Sequence, residues 1–219
     1  MSLRGSVAIV GTADTAVGRV PDKDATQLCV EAALRALADA GLRKEQVDGL
    51  VTCNSMAQPR MYHAEAIAEY LQIFPRWCLS ANAGGGTTFS VIAQAAAAIQ
   101  AGLCETVLIS MADSLRSGLS RAQAMVTQSS SGHPEFETPY GATVPGYYAL
   151  IAQAYLHEFG ATPEQFAAVA VTHRAHAALH PHAHHRRSDQ TRTSHSEKRT
   201  SVETHGPASA RSNRTALPP

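Results

Sequence analysis

The sequence predicts a layered α/β fold on a mostly parallel, mixed sheet, with one helix buried between two layers. Three observations carry this expectation. Short runs rich in β-branched residues alternate with stretches of helical periodicity as far as Met111, the rhythm of parallel β-α-β units. One helical stretch, Gly85–Ala101, holds no charged residue, and a helix without a polar face must be surrounded on all sides. The composition is globular: 44% of 219 residues are hydrophobic, enough for a sizeable core.

The elements follow in order. Ser6–Gly11 (SVAIVG) reads as a buried strand closed by glycine, because it is short, apolar and β-branched. Asp24 is placed to cap a helix running to about Ala40, with Leu28, Ala32, Ala36 and Ala40 at helical spacing and Gly41 at the C-cap position. Gly49–Cys53 is a second short strand. Tyr62–Gln72 is a helix with Ala64, Ile67, Ala68 and Leu71 on one face. Arg76–Ser80 suits a third strand, Gly85–Ala101 the charge-free helix, and Glu105–Met111 a fourth strand. From Asp113 to Gly146 the rhythm breaks, with three prolines and little periodicity, as in a functional loop. Two helices follow, Tyr147–Phe159 and one opened by Thr162-Pro163-Glu164-Gln165 and running to about Leu179, the opening being a capping threonine, a first-turn proline and a third-position glutamine. His184–Pro219 holds one valine and one leucine. Such a segment cannot bury enough apolar surface to offset its ordering entropy. The expected organisation is one domain over residues 1–183, with a loop excursion at about 113–146, and a disordered basic tail over 184–219.

Charge excludes some partners. Lys+Arg and Asp+Glu balance at 18 each, but the tail carries seven basic and three acidic residues, leaving 11 and 15 in the body. A mildly acidic body is no nucleic-acid footprint. Cys29, Cys53, Cys78 and Cys104 form no CxxC pair, so no zinc or redox motif follows. The longest uncharged stretch, Gly84–Cys104, is interrupted by Gln94 and Gln100, and its apolar part falls short of the ~20 residues a membrane span needs. Met1–Gly5 runs straight into the first strand with no secretory h-region, so a cytoplasmic protein is expected.

Several residues invite a functional reading. Gly84-Gly85-Gly86 before a helix either cradles an anion on exposed amides or permits close helix packing; the GxGxxG and GxxxxGK[ST] fingerprints are both missing. His173, His176 and His180 share one helix face, with His182, His184 and His185 close behind. Imidazole metal binding and solvated histidines near a helix end compete, and no carboxylate or cysteine joins them at ligand spacing, so no metal is expected. Tyr140, Tyr147 and Tyr148 either line a channel as proton donors or, with Tyr155, pack a short helix. Glu135 and Glu137 beside His133 read as loop surface.

Asn82-Ala83-Gly84-Gly85-Gly86-Thr87-Thr88, running through Ile99-Gln100-Ala101-Gly102 into Glu105–Ser110 and Met111-Ala112-Asp113-Ser114, resembles the nucleophile helix of the thiolase superfamily. Tyr155–Ala167 with its Phe159-Gly160-Ala161-Thr162-Pro163, continuing to His180-Pro181-His182-Ala183, resembles the sterol-carrier-protein-x type of thiolase. Val7–Gly11 and Gln46-Val47-Asp48-Gly49-Leu50 fit as well. The resemblance covers about residues 5–183 and implies the N-terminal thiolase-like unit, layered α-β-α.

By that resemblance the nucleophilic cysteine falls on Gly85. A helix N-terminus favours thiolate there, but glycine has no side chain to attack with. Cys78 lies in the preceding strand and Cys104 beyond the far helix end, both expected as small buried hydrophobes. No catalytic residue is assigned. The expected substrate-binding residues are Gly85, Gly86 and Thr87, the two glycine amides facing a thioester carbonyl as an oxyanion hole. The resemblance implies an enzyme of acyl-CoA carbon–carbon cleavage, of retro-aldol type, in lipid or steroid degradation. The alternatives are a true acetyl-CoA acyltransferase and a non-catalytic acyl-CoA- or sterol-binding or dimerisation subunit. No cofactor is expected beyond coenzyme A as part of the substrate. The implied partners are an acyl-CoA thioester, a second copy meeting at about Trp77–Gly86, and a small OB-fold protein. This chain alone is expected to turn over poorly, because the family's histidine turn and second cysteine turn are not in it.

Overall fold

The computed structural model describes residues 4–129, 132–141, 143–181 and 183. The tail His184–Pro219, with Ser130, Ser131 and His182, lies outside the described residues. The chain divides into two compact units, one to Tyr147 and one from Tyr148.

The first unit is built on a three-stranded parallel sheet of order β2-β1-β3: β1 Gly49–Thr52, β2 Trp77–Ser80 and β3 Val107–Ser110. Leu50 is level with Cys78 on one side and Leu108 on the other, and Thr52 with Ser80 and Ser110. Three helices pack on it: α1 Ala25–Ala40, α2 His63–Leu71 and α3 Thr87–Gln100. Side chains alternate across a strand. Leu50 and Leu108 join the core with Cys29, Ala33 and Leu37 of α1 and Ile67, Ala68 and Leu71 of α2. Val51, fully buried, faces the other way, toward α3 and its buried Val91. The chain steps from β1 to β2 by way of α2, then back across β1 to β3 by way of α3. Both crossovers taking the favoured right hand, this reversal puts α2 and α3 on opposite faces. Fully burying side chains such as Leu50 and Ile67 contributes about 1.5–3 kcal/mol each.

Local signals act as read. Asp24 caps α1 through the Gln27 amide, and Gln27 returns the bond to the Asp24 amide, a closed capping box. Gly41 ends the helix at φ +67°, a conformation that costs glycine little. Asp48 ties the N-terminal edge of the sheet. Its carboxylate accepts from the Glu105 and Thr106 amides at 2.9 and 2.8 Å and pairs with Arg76 at 2.7 Å. Gly49 is needed beside it, since a Cβ there would meet Val107 Cγ2 at 2.9 Å and Cys104 Sγ at 3.0 Å.

Three expectations are corrected. Ser6–Gly11 forms no strand: the described strands pair only with one another, and Ile9 and Val10 are exposed. Composition marks a segment as strand-like but cannot supply a partner edge. The charge-free helix α3 is buried on one side only. Thr87, Val91, Ala95, Ala96 and Ala98 are covered, while Phe89 is 80% exposed, since no second layer lies over that side within the first unit. The excursion after Asp113 is not structureless. It holds α4 Leu115–Gly118, α5 Arg121–Ser129 and a 3-10 turn, Thr138–Tyr140.

α6, Val144–Phe159, leads into the second unit, which continues with α7, Pro163–Leu179. Thr162 and Gln165 close a capping box with Pro163 in the first turn, as the motif predicts. Tyr155 packs on Phe159 and edge-on to Phe166, ring centroids 4.8 and 5.8 Å apart.

Candidate functional site

Parallel α/β sheets bind ligands beyond the carboxyl ends of strands whose connections leave to opposite faces. Here β1 leads into the 53–62 segment and α2 on one face, while β2 leads into the 81–86 turn and α3 on the other. The crevice between them is the candidate site.

The turn is built from its own hydrogen bonds. Gly84 adopts φ +57°, the left-handed region that favours glycine. Its amide donates to Asn82 Oδ1 at 3.2 Å. Thr87 Oγ1 accepts from the Ala83 amide at 2.8 Å and donates to Gly84 O at 2.7 Å. The Gly86 amide donates to Ala83 O at 3.2 Å and the Thr87 amide to Gly84 O at 3.1 Å. Of the three residues expected to bind substrate, Thr87 therefore shapes the turn, and Gly86 already has a partner that an incoming carbonyl must displace. Gly85 is different. It is exposed, its φ is ordinary, and a Cβ built on it meets nothing within 4 Å. Gly86 stands at the helix N-cap with no side-chain cap, so beyond the two amides turned back to Ala83 and Gly84 no side chain caps the positive end of α3.

No thiol from Cys78 or Cys104 reaches the helix head. Cys78 sits in β2 near Glu65, and Cys104, fully buried, sits by Gly49 and Asp48. Cys53, which sequence reasoning passed over, does come close. It leaves β1 on the α3 side, close to Thr87, and its Sγ donates to the Asn54 carbonyl at 3.6 Å. Burial pushes its thiol above the ordinary value, the Thr87 hydrogen bond opposes this, and the charge of Asp113 adds to it. Burial likewise raises Cys78 and Cys104, and pushes Cys29 up to about 11. A thiol held protonated is a poor nucleophile.

The opposite wall is fastened by Asp113, also unassigned by sequence. Its carboxylate accepts from Ser55 Oγ at 2.9 Å and from the Met56, Ala57 and Ser114 amides at 2.7, 3.3 and 2.8 Å. Asn54 and Arg60 exchange two bonds across the same segment. His63, first residue of α2, is 1% exposed, and neither ring nitrogen has a partner among the described residues. The signal that could have found Cys53 and Asp113 is positional: each follows a parallel strand at its carboxyl end.

The remaining candidates separate. Tyr140 and Tyr148 are exposed, while the Tyr147 hydroxyl is buried next to Gly132 without a partner among the described residues. Glu137 accepts from the His133 amide, and His133 lies on Phe136. Among the described residues no group of His, Cys, Asp or Glu is arranged to hold a metal, and no helix is long and apolar enough to cross a membrane.

No family model matches the chain. It is 36% identical over 189 residues to a steroid side-chain-cleaving aldolase of Thermomonospora curvata, covering 83% of this chain and 47% of that one. It is 34% identical to the 17-hydroxy-3-oxo-4-pregnene-20-carboxyl-CoA lyase of Mycobacterium tuberculosis, covering 83% and 48%. The chain thus spans about half the length of the curated relatives it matches. Among solved structures it is similar to an Ltp2-ChsH2(DUF35) aldolase, with TM-score 0.73 and 32% identity over 88% of this chain and 49% of that one. It shares its fold with an acetyl-CoA acetyltransferase from Syntrophomonas wolfei, with TM-score 0.58 and 18% identity over 78% and 46%. The chain is thiolase-like, as its residues indicated.

Proposed function

We propose that this thiolase-like chain supplies the helix-head half of a site for carbon–carbon cleavage of retro-aldol type on a 3-hydroxyacyl-CoA, in steroid or lipid degradation. The observation that supports this most is the side-chain-free, open Gly85 at the head of α3, in a chain about a third identical to an aldolase and a lyase. A retro-aldol step needs no thiolate. A base takes the proton of the 3-hydroxyl, the bond between C2 and C3 breaks, and C3 leaves as a ketone or aldehyde. The electron pair passes into the thioester as an enolate, which is then protonated at C2. The negative charge grows on the thioester oxygen. The uncapped N-terminus of α3, with the Gly85 and Gly86 amides, is the group on this chain suited to stabilise it. Coenzyme A enters only as part of the substrate.

The same reading includes a homodimer meeting at about Trp77–Gly86, a cytoplasmic location, and a small OB-fold partner. The partner is suggested by the similar Ltp2-ChsH2(DUF35) aldolase, whose name joins two components. The experiment offers the protein a 3-hydroxyacyl-CoA and, separately, a 3-oxoacyl-CoA with free coenzyme A, with and without iodoacetamide. The expected result is release of a carbonyl product and a shortened acyl-CoA, unaffected by alkylation. Thiolysis of the 3-oxo compound that iodoacetamide abolishes would refute the reading. Binding of coenzyme A with no turnover of either compound would favour the subunit reading.

A further inference from the structure

We propose that the segment from Cys53 to Tyr62 is a pH-operated wall of the crevice, closed while His63 is neutral and loosened when it takes up a proton. The proposal stands apart from the choice of reaction. His63 anchors the end of this segment as the first residue of α2, and its imidazole is 1% exposed with neither nitrogen partnered among the described residues. The amide of the next residue, Ala64, is bonded to Ser80 Oγ at 3.0 Å, which fixes the helix start on β2. A proton on His63 therefore has nowhere favourable to sit. The helix dipole opposes positive charge at this end. The charged groups acting on the ring are Arg60, from its own segment, which repels, and Asp113, from the turn after β3, which attracts; α1, β2 and the rest of α2 add none. Burial is the larger obstacle, and together these hold the His63 imidazole below its ordinary range.

Asp113 is already committed. Both its oxygens hold the wall, through Ser55, Met56 and Ala57, and Oδ1 also holds Ser114. An imidazolium can be accommodated by admitting water at the α2 start or by drawing Asp113 from residues 55–57. Either change frees the segment, and Cys53 at its beginning, half-buried near Thr87, becomes more accessible. The sign follows. A histidine whose folded value is depressed contributes stability that is full above its unfolded value of about 6.5 and is lost as pH falls below it. Opening at about pH 5.5 rises by at most roughly tenfold, the fraction one unit of protonation allows.

The test labels the native chain and its His63→Gln and His63→Phe variants with 2,2′-dithiodipyridine, which reacts with thiols in acid as well as at neutrality. Labelling of Cys53 is followed by peptide mass spectrometry. Between about pH 7.5 and pH 5.5, Cys53 of the native chain is expected to gain several-fold in labelling relative to both variants, up to that tenfold limit. A native-to-variant ratio that stays flat overturns the proposal. Should neither variant fold, NMR titration of the native His63 ring decides alone: a midpoint below about 6.5 supports it, and one at or above that value overturns it.

Discussion

Replacing Gly85 with cysteine is the sharpest probe of the helix head. A Cβ at this position meets nothing within 4 Å and the backbone φ is ordinary, so the substitution should leave the melting temperature nearly unchanged. The new thiol would sit beside the uncapped N-terminus of a 14-residue helix. Such placement lowers a thiol from about 8.5 to about 7, raising its thiolate fraction at pH 7 from roughly 3% to roughly half. The lower basicity takes back part of that gain, leaving a net advantage of about threefold to fourfold over an ordinary exposed thiol. The native cysteines are worse than ordinary, since burial raises all four. Cys29, pushed up to about 11, would be about one part in ten thousand thiolate at neutral pH. Iodoacetamide at pH 7, with peptides resolved by mass spectrometry, should therefore modify the Gly85→Cys chain first and fastest at residue 85. Alkylation there no faster than at Cys53 or Cys78 would show that the head of α3 is neither open nor electropositive, and the reading of the site would fall with it.

Two further outcomes test the scaffold. Asp48→Asn keeps the shape but weakens the bonds to Glu105, Thr106 and Arg76, and should cost about 1–2 kcal/mol in urea unfolding at neutral pH. Burial of the Asp48 carboxyl raises its pKa, but the Thr106, Arg76 and Glu105 bonds outweigh that and hold it below the ordinary value. Its contribution is thus present above about pH 4 and lost as pH falls through the lower folded value; the native-to-variant difference should shrink in acid, and a constant difference would argue against the contact. Gly49→Ala drives a methyl to 2.9 Å from Val107 Cγ2 and should cost about 1–3 kcal/mol through β1–β3 spacing, read as a lower urea midpoint at unchanged slope.

Much of the architecture was legible from local chemistry. Asp24 with Gln27, Thr162 with Pro163 and Gln165, and Gly41 announce helix boundaries because caps satisfy backbone groups within a few residues. Apolar periodicity marked Ile67 and Leu71 as one buried face, and the interrupted thiolase pattern put a glycine where a nucleophile would stand. What the sequence could not decide depends on distance through space. Ser6–Gly11 has the composition of a strand, yet a strand exists only where another edge accepts its hydrogen bonds. α3 has no charge on any side, yet only the second element packed against it determines which side is dry. Cys53, His63 and Asp113 are ten and fifty residues apart along the chain, and nothing in their spacing links them. Parallel strands bring them to one end of the sheet because every crossover returns the chain to the same starting edge. The burial of His63, and the lowered basicity that follows from it, are therefore properties of the tertiary structure.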